Sequence, residues 1–505
     1  MPLLLCLSLL GMFLQTSRLL RTSFASAPLF VFSLIPCALF VFGLLGWLQG
    51  GYYLLTLAGL LGLALELGGA PGRLRLARLC GDPVFLVFAA LGAFFWWKFH
   101  GGLYYFNDFQ THWGPAVQEL AERDVLRGID TLVSLRSQDY PPGTALFAYY
   151  ITKFTGYAPG MAYFAQDLML CAAGCVILQN IKRKDWPLCL CLAAGYLFFL
   201  ADLNWNGGST GLYLLFADPV LGAWLGAAVA LRIGRREYSA RSVLYYAPVL
   251  FALPLFKKPG LLFAVIAWAF IFLDFLLAAL RRRRLAPENR ARSGPGLALL
   301  ALAGLLLLAP FAAQESWQGR VRRADLNRTF PVAVSAGRLW NSFRDATASE
   351  RDRSTREAFL NMYLKPGMFA FWGNELGMGG FTAAAALAAL GVVLALRGSR
   401  ERPRALTAFT VIFAGLAIYL FGLLVMYLYV FSDNEAKILS AVWRYISTYN
   451  LALGVVVLGY LGFFAGRRGW RASAAAICIW LLTLYCGLNA TQVTWAFVFE
   501  PLPKG

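Results

Sequence analysis

The chain has unusually few charged residues. Only 14% of its 505 residues are Asp, Glu, Lys or Arg, whereas 59% are hydrophobic, and soluble domains carry about 25% charged residues. A soluble domain could not cover its surface with so few charges, and a disordered chain would have less hydrophobic character. The nine cysteines are scattered through apolar stretches and the histidines number two, which excludes a secreted disulfide scaffold. These shortages indicate an integral membrane protein.

The apolar residues form runs of the length that a membrane-spanning helix requires. A helix needs about 20 mostly apolar residues to cross the hydrocarbon core. The runs predict an all-α polytopic membrane protein with about 14 transmembrane helices, near residues 2–17, 28–48, 51–68, 83–99, 160–180, 186–201, 209–231, 243–256, 259–280, 295–313, 379–396, 405–430, 444–465 and 472–490.

The basic residues are grouped in a way that predicts the topology. The formal net charge is +19, from 45 basic and 26 acidic residues. The clusters fall in every second gap between the predicted helices, as the positive-inside rule requires of cytoplasmic loops. This explains the charge without a nucleic-acid partner and places both termini outside. The clusters are Arg18/Arg21, Arg73/Arg75/Arg78, Lys182–Lys184, Arg232–Arg241, Arg281–Arg292, Arg397–Arg404 and Arg467–Arg471.

The first long outer segment, residues 100–159, contains chemically distinctive residues. Asp108 follows a predicted spanning helix among aromatic residues, where a carboxylate is costly and its pKa can rise toward that of a useful base. A solvated Asp in an interfacial aromatic belt is the alternative. Asp139-Tyr-Pro-Pro-Gly143 then opens an apolar stretch, Thr144 to Phe154, that predicts a short amphipathic helix in the membrane interface. His112 lies four residues after Asp108, but one such pair does not make a metal site.

Cations also occur at the predicted outer boundary. Lys257 and Lys258 lie in a very short turn between two apolar helices, where they either bind a phosphate at the membrane surface or extend toward water as anchors. Arg444 enters a late helix and could bind phosphate oxygens, with Asp433 or Glu435 holding its guanidinium in place. A structural ion pair is the alternative.

Further acidic and aromatic residues have two interpretations. Asp218, before Pro219 inside the helix predicted over 209–231, is either functional or part of a kinked segment that needs a partner. The outer loop 314–378 is long enough to cover a cleft. Its aromatic side chains either stack on sugar rings or anchor the loop at the membrane surface; they are Trp340, Tyr363, Phe371 and Trp372.

Four motifs in order resemble bacterial members of the GT-C superfamily of membrane glycosyltransferases. Relatives in that superfamily include protein mannosyltransferases and lipid A aminoarabinose transferases. The members in question carry an Asp-Glu-Phe-x-x-His-Trp-Gly loop, an Asp-Tyr-Pro-Pro-Gly element, a Lys-Pro-Thr-Gly-like turn and a late Phe-Ser-x-x-Glu…Arg-Tyr segment. The corresponding residues are Asn107-Asp108-Phe109…His112-Trp113-Gly114, Asp139-Tyr140-Pro141-Pro142-Gly143, Lys258-Pro259-Gly260 and Phe431-Ser432…Glu435…Arg444-Tyr445.

The resemblance implies a GT-C-like fold with interfacial helices in the outer loops. It covers roughly residues 83–450, a catalytic core that includes outer loops 100–159 and 314–378. Residues 1–82 would add N-terminal helices, and 451–505 would add C-terminal helices and an outer tail. The expected location is the bacterial cytoplasmic membrane, with the active site facing the periplasm.

The resemblance also implies sugar transfer from a polyprenyl-phosphate-linked donor to an acceptor hydroxyl on a glycan, glycolipid or protein, with inversion. Asp108 would be the general base. Lys257 or Lys258 and Arg444 would bind the donor phosphate. The residues expected to bind or orient substrate are Asn107, His112, Trp113, Asp139, Tyr140, Glu435 and Tyr445.

One departure from the family pattern affects the expected cofactor. Asn107 replaces the first acid of the loop pair, which leaves Asp108 as its one carboxylate. No metal ligands are therefore assigned, although the resemblance leaves room for a divalent ion such as Mg or Mn. Two other functions fit the same residues: a transporter or flippase of lipid-linked saccharides, and a polymerase or ligase that uses a diphosphate-linked donor.

Overall fold

The structure is a computed structural model that describes residues 2–104, 109–126, 132, 137–203, 212–235, 237–283, 296–329, 334–364 and 378–468. Within these ranges the secondary structure is helical and contains no strand. Several predictions fall outside them and stay predictions: the positions of Asn107 and Asp108, the aromatic residues Phe371 and Trp372, and the helix over 472–490.

The α-helices are numbered in chain order. The first ten are α1 (Pro2–Leu19), α2 (Ala27–Leu44), α3 (Leu48–Gly68), α4 (Ala70–Cys80), α5 (Pro83–Phe99), α6 (Gly114–Arg123), α7 (Gly143–Thr155), α8 (Pro159–Cys175), α9 (Trp186–Asp202) and α10 (Ala217–Gly234). The others are α11 (Ala240–Phe256), α12 (Gly260–Arg283), α13 (Leu297–Leu305), α14 (Leu308–Arg323), α15 (Ala336–Phe343), α16 (Glu350–Leu364), α17 (Met378–Ala395), α18 (Arg402–Tyr429), α19 (Asp433–Ile438) and α20 (Val442–Arg468).

Length and hydropathy identify 10 helical segments in the described residues that could each cross a membrane. The pair α4 and α5, bent by 67° at its break, adds an eleventh, and α9 and α11 are shorter apolar helices. The prediction of a polytopic all-helical membrane protein is therefore confirmed. The count of 14 stays a prediction.

Two predicted elements differ from the observed ones. The helix predicted from residue 209 begins at Ala217, so Asp218 lies in its first turn rather than in its interior. The amphipathic helix predicted over 144–154 is observed as α7, but nearly all of its side chains are buried. Because α2, α6 and α8 all pack against α7, this helix belongs to the core and does not expose a polar face.

The two ends of the helix bundle differ in the charged residues that they contain. At one end, here called the basic end, residues of the predicted cytoplasmic clusters meet buried acids. Arg232 and Arg404 both bind Asp274, with Arg232 Nε 2.5 Å and Arg404 Nε 2.9 Å from its carboxylate. The buried Glu66 pairs with two further basic residues, Arg18 and Arg75. The opposite end, here called the site end, gathers the segments that the topology places outside.

Close backbone contacts bring the site-end segments together. Gly222 of α10 lies against the carbonyl of Thr448 in α20, where a Cβ atom would overlap that oxygen. Gly143, at the start of α7, lies in the same way against the carbonyl of Leu255 in α11. Since only glycine permits these approaches, the two contacts determine how near the adjoining polar residues come to each other.

We predict that Gly222→Ala destabilises the protein by about 1–3 kcal/mol, the usual cost of overpacking a close contact. The measurement is the free energy of unfolding in detergent. Gly391→Ala in α17 is the control, because a Cβ there meets nothing within 4 Å and alanine favours a helix. Equal stabilities of the two variants would contradict the assignment.

Candidate functional site

A group of charged side chains lies at the site end, where four separate parts of the chain meet. The group, here called the charged cluster, consists of Asp139, Asp218, Lys257, Lys258 and Arg444. Asp139 precedes α7, and Asp218 lies in the first turn of α10. The two lysines lie between α11 and α12, and Arg444 lies in the first turn of α20. The cluster therefore joins segments that the topology predicted to share one side of the membrane.

Asp218 is the acid at the centre of one half of the cluster. It is 1% exposed, and its carboxylate accepts a hydrogen bond from Lys257, which is 7% exposed. The Thr448 hydroxyl lies 3.3 Å from Asp218 Oδ1, and Arg444 Nε lies 3.7 Å from Asp218 Oδ2. A buried charge is costly unless it is paired. This burial explains why α10, α20 and the lysine turn pack together here.

Arg444 lies against two aromatic rings. Its guanidinium carbon lies 4.1 Å from the ring centroid of Phe216 and 5.2 Å from that of Tyr445. The contact with the Asp218 carboxylate is longer than an ordinary hydrogen bond. The rings therefore orient the guanidinium, as the binding of an anion by an arginine requires.

Asp139 organises the other half of the cluster. Its carboxylate accepts a hydrogen bond from Lys258 at 2.6 Å and further bonds from the backbone N–H, at 3.1 Å, and the hydroxyl of Thr329. The Trp317 indole N–H donates to the Asp139 carbonyl at 3.0 Å. These contacts connect the Tyr-Pro-Pro loop, the lysine turn and the segment that follows α14.

Burial and pairing shift the pKa of Lys258 in opposite directions. Burial lowers the pKa of the Lys258 ammonium because it disfavours the charged form, while the Asp139 carboxylate acts in the opposite direction. The result is a pKa below the ordinary lysine value. Lys258 is therefore easier to deprotonate than a solvated lysine.

Three aromatic residues predicted for the site also lie together. The rings of His112 and Tyr140 are parallel within 2°, with centroids 6.2 Å apart, and Trp113 lies 5.4 Å from Tyr140. Lys258 Nζ lies 5.1 Å from the Tyr140 ring. The pKa of Tyr140 is raised, chiefly by burial, so its hydroxyl stays protonated. These rings form one wall beside Lys258.

The proposed base and its neighbour, Asp108 and Asn107, lie outside the described residues. The next residue, Phe109, is described and is fully buried, with its ring 5.1 Å from that of Phe216. Phe216 is the ring on which Arg444 lies. The chain that follows Asp108 is thus anchored beside the cation proposed for the phosphate.

Two acids expected to hold Arg444 have other partners. Glu435 forms a capping box with Ser432 at the start of α19. Asp433 pairs with Arg351 of the outer loop at 2.6 Å. Among the described acids, Asp218 lies near Arg444, and its sequence signal was an acid within an apolar stretch. Sequence reasoning did not identify Thr329 or Trp317 as members of the site, because neither carries a motif.

The cluster has chemistry suited to a phosphate. Its described members are three cations, Lys257, Lys258 and Arg444, and two carboxylates, Asp139 and Asp218. Among the described residues, no three His, Cys, Asp or Glu side chains are grouped so that they could hold a metal ion. Asp139 and Asp218 each have a lysine partner.

A comparison with protein-family models finds no match to the chain, and a comparison with curated proteins finds none either.

We predict that Asp139→Asn lowers the pKa of Lys258 further, because it removes the neighbouring negative charge while burial remains. The measurement is labelling of Lys258 by an amine-reactive reagent as a function of pH, followed by mass spectrometry. The neutral amine reacts, so labelling should begin at lower pH in the variant. Asp345→Asn, in a surface pair with Arg356, should leave the profile unchanged. A shift toward higher pH would contradict the prediction.

Proposed function

We propose that the protein is a GT-C-type membrane glycosyltransferase that moves a sugar from a polyprenyl-phosphate-linked donor to an acceptor hydroxyl. One observation carries the proposal: the side chains of Lys257, Lys258 and Arg444 converge at the level where apolar helices end. A lipid with a phosphate head would place its tail among the helices and its phosphate at this level. The sugar would then lie beyond the phosphate, on the side of the outer loops.

The proposed donor is monophosphate-linked rather than diphosphate-linked, as the family resemblance implies. A polyprenyl-phosphate sugar is a phosphodiester with one negative charge. As the bond to the sugar breaks, the leaving phosphate gains a second negative charge. Preoriented cations stabilise that developing charge more than the ground state, which lowers the barrier.

In the proposed reaction, Asp108 accepts the proton of the acceptor hydroxyl as its oxygen attacks the anomeric carbon. A new carbon–oxygen bond forms, the bond from that carbon to the phosphate oxygen breaks, and the electron pair leaves with the phosphate. Single displacement inverts the configuration. The position of Phe109 beside Phe216, and so beside Arg444, supports placing its neighbour Asp108 near the reacting atoms.

The contacts suggest separate tasks for the two acids of the cluster. Asp218 would hold Lys257 and Arg444 in place without donor, since the buried lysine and the partly buried arginine would otherwise repel each other. Asp139 would position Lys258 through its bonds to that lysine and to Thr329. His112, Trp113, Tyr140 and Tyr445 would line the space for the substrates. In the proposed orientation the site faces the periplasm from a bacterial cytoplasmic membrane.

We predict that Asp108→Asn abolishes sugar transfer while donor binding persists. The amide cannot accept the acceptor proton, and general-base catalysis typically contributes 10²–10⁴-fold. Transfer is measured with purified full-length protein in proteoliposomes that contain a polyprenyl-phosphate sugar and an acceptor extract. Binding of polyprenyl monophosphate is measured separately.

The control is Glu357→Gln, because Glu357 is an exposed acid on α16 and should leave transfer unchanged. Full transfer by Asp108→Asn would refute the assignment of the base. Transfer of the saccharide across the bilayer without formation of a product would instead favour a flippase. A donor requirement for diphosphate would favour a polymerase or ligase.

We further predict that Arg444→Gln lowers kcat by about 10²–10³-fold, the range seen when one preoriented donor to a developing oxyanion is removed. KM for the donor should rise less, because the cation matters most as the phosphate charge grows. Arg444→Lys keeps the charge but loses the planar fork, so its kcat should lie between. Equal kcat values for Gln and wild type would contradict this role.

A further inference from the structure

The short helix α15 exposes large apolar side chains although it lies in a polar outer loop. Trp340 is 64% exposed and Phe343 is 36% exposed. Leu339 and Phe343 are four positions apart, with Trp340 adjacent, so the three lie on one side of the helix. Exposed apolar groups of this size are costly in water and mark a surface that contacts something apolar.

The contacts between α15 and α18 show where α15 lies along the length of α18. The ring of Phe343 lies 5.7 Å from that of Phe421, and the Tyr429 hydroxyl donates to the Arg338 carbonyl at 3.1 Å. Phe421 lies eight residues before the end of α18, about 12 Å along the helix axis. Since α18 is one of the helices able to cross the membrane, Phe343 reaches down its side to the level of the outer part of the span.

The surface of α18 beside Phe343 is apolar and exposed. Phe421 is 48% exposed and Ile418, one turn deeper, is 56% exposed. Phe343 therefore adjoins an exposed apolar surface on a helix that is able to cross the membrane. A tryptophan at such a level is typical of membrane interfaces, where its ring spans the apolar and wet regions.

Two exposed arginines flank these apolar residues. The guanidinium carbon of Arg338 lies 4.8 Å from the Tyr429 ring, and that of Arg344 lies 5.4 Å from the Trp340 ring. Stacking on a ring orients the guanidinium plane and leaves its N–H groups available for the forked binding of a phosphate. Both cations are placed at the height where phospholipid headgroups would lie.

We propose that α15 is a membrane-docking helix that binds anionic phospholipids of the leaflet at the site end. Trp340 and Phe343 enter the boundary between headgroups and acyl chains, and Arg338 and Arg344 bind headgroup phosphates. The sequence predicted that Trp340 either stacks on a sugar ring or anchors the loop at the membrane surface. The proposed docking selects the anchoring role. This proposal does not depend on sugar transfer.

The docking helix is connected to the charged cluster by described contacts. Ser342 donates to Asp352 of α16 at 2.9 Å. The neighbouring Arg351 pairs with Asp433 of α19 and donates to the Phe431 carbonyl at 2.9 Å. Further along the chain, Arg444 lies in the first turn of α20, the next helix after α19. Docking on the leaflet therefore also holds the segment that leads into the phosphate-binding arginine.

Photocrosslinking tests the insertion of α15. Full-length protein with Trp340→benzoylphenylalanine is placed in nanodiscs that contain phosphatidylglycerol, irradiated and examined by mass spectrometry. We expect a lipid adduct on the peptide that contains residue 340. The matched control is Glu122→benzoylphenylalanine, on α6, where the exposed side chain is polar and no adduct is expected. Equal labelling at the two positions, or none at 340, would overturn the proposal.

A second measurement tests the arginines. Native mass spectrometry counts phosphatidylglycerol molecules retained by the wild type and by the Arg338→Gln/Arg344→Gln double variant. Since each surface arginine contributes about a fivefold to tenfold gain in affinity for anionic lipid, the double variant should retain it at least tenfold more weakly. Arg123→Gln on α6 serves as the charge control. Unchanged retention in the double variant would overturn the headgroup assignment.

Discussion

The arrangement of the site end depends on the cost of burying charge where apolar helices end. Lys257 and Asp218 are both nearly inaccessible to water, and each would be strongly destabilising alone. Each charge is tolerated because it is paired with the other. This pairing requires the lysine turn to lie against the start of α10, where the start of α20 also packs. Arg444 lies beside that meeting point through its contact with Asp218, and Phe216 connects Arg444 to the buried Phe109.

Close backbone contacts make the side-chain pairings of the charged cluster geometrically possible. The approach of α10 to α20 at Gly222 brings Thr448 within hydrogen-bonding distance of Asp218. The approach of α7 to α11 at Gly143 brings the loop that carries Asp139 to Lys258. Both glycines lie within four residues of a charged member of the cluster. Side-chain chemistry and backbone packing are therefore one constraint here, and a change in either would disturb the other.

The sequence predicts the class of protein and which residues are unusual, but it does not predict their partners. Hydropathy identifies the helices, and the positive-inside rule makes Lys257 and Lys258 conspicuous. The partner of Arg444 was expected nearby in the chain, at Asp433 or Glu435. Those acids are satisfied by Arg351 and by the Ser432 capping box. Asp218 lies more than two hundred residues away, and tertiary packing alone places it there.

The two adjacent lysines show why the local pattern could not distinguish an anchor from a binding group. The backbone at Lys257 is extended, with φ −157° and ψ 155°, and successive side chains of an extended chain point in opposite directions. Lys257 therefore faces Asp218, whereas Lys258 faces Asp139 and the ring of Tyr140. An anchoring lysine would extend its ammonium into water, but Lys257 is 7% exposed and directs its ammonium to a buried carboxylate. Its burial and its pairing thus show that Lys257 is not a membrane anchor. The extended backbone allows one short turn to supply a cation to each half of the cluster.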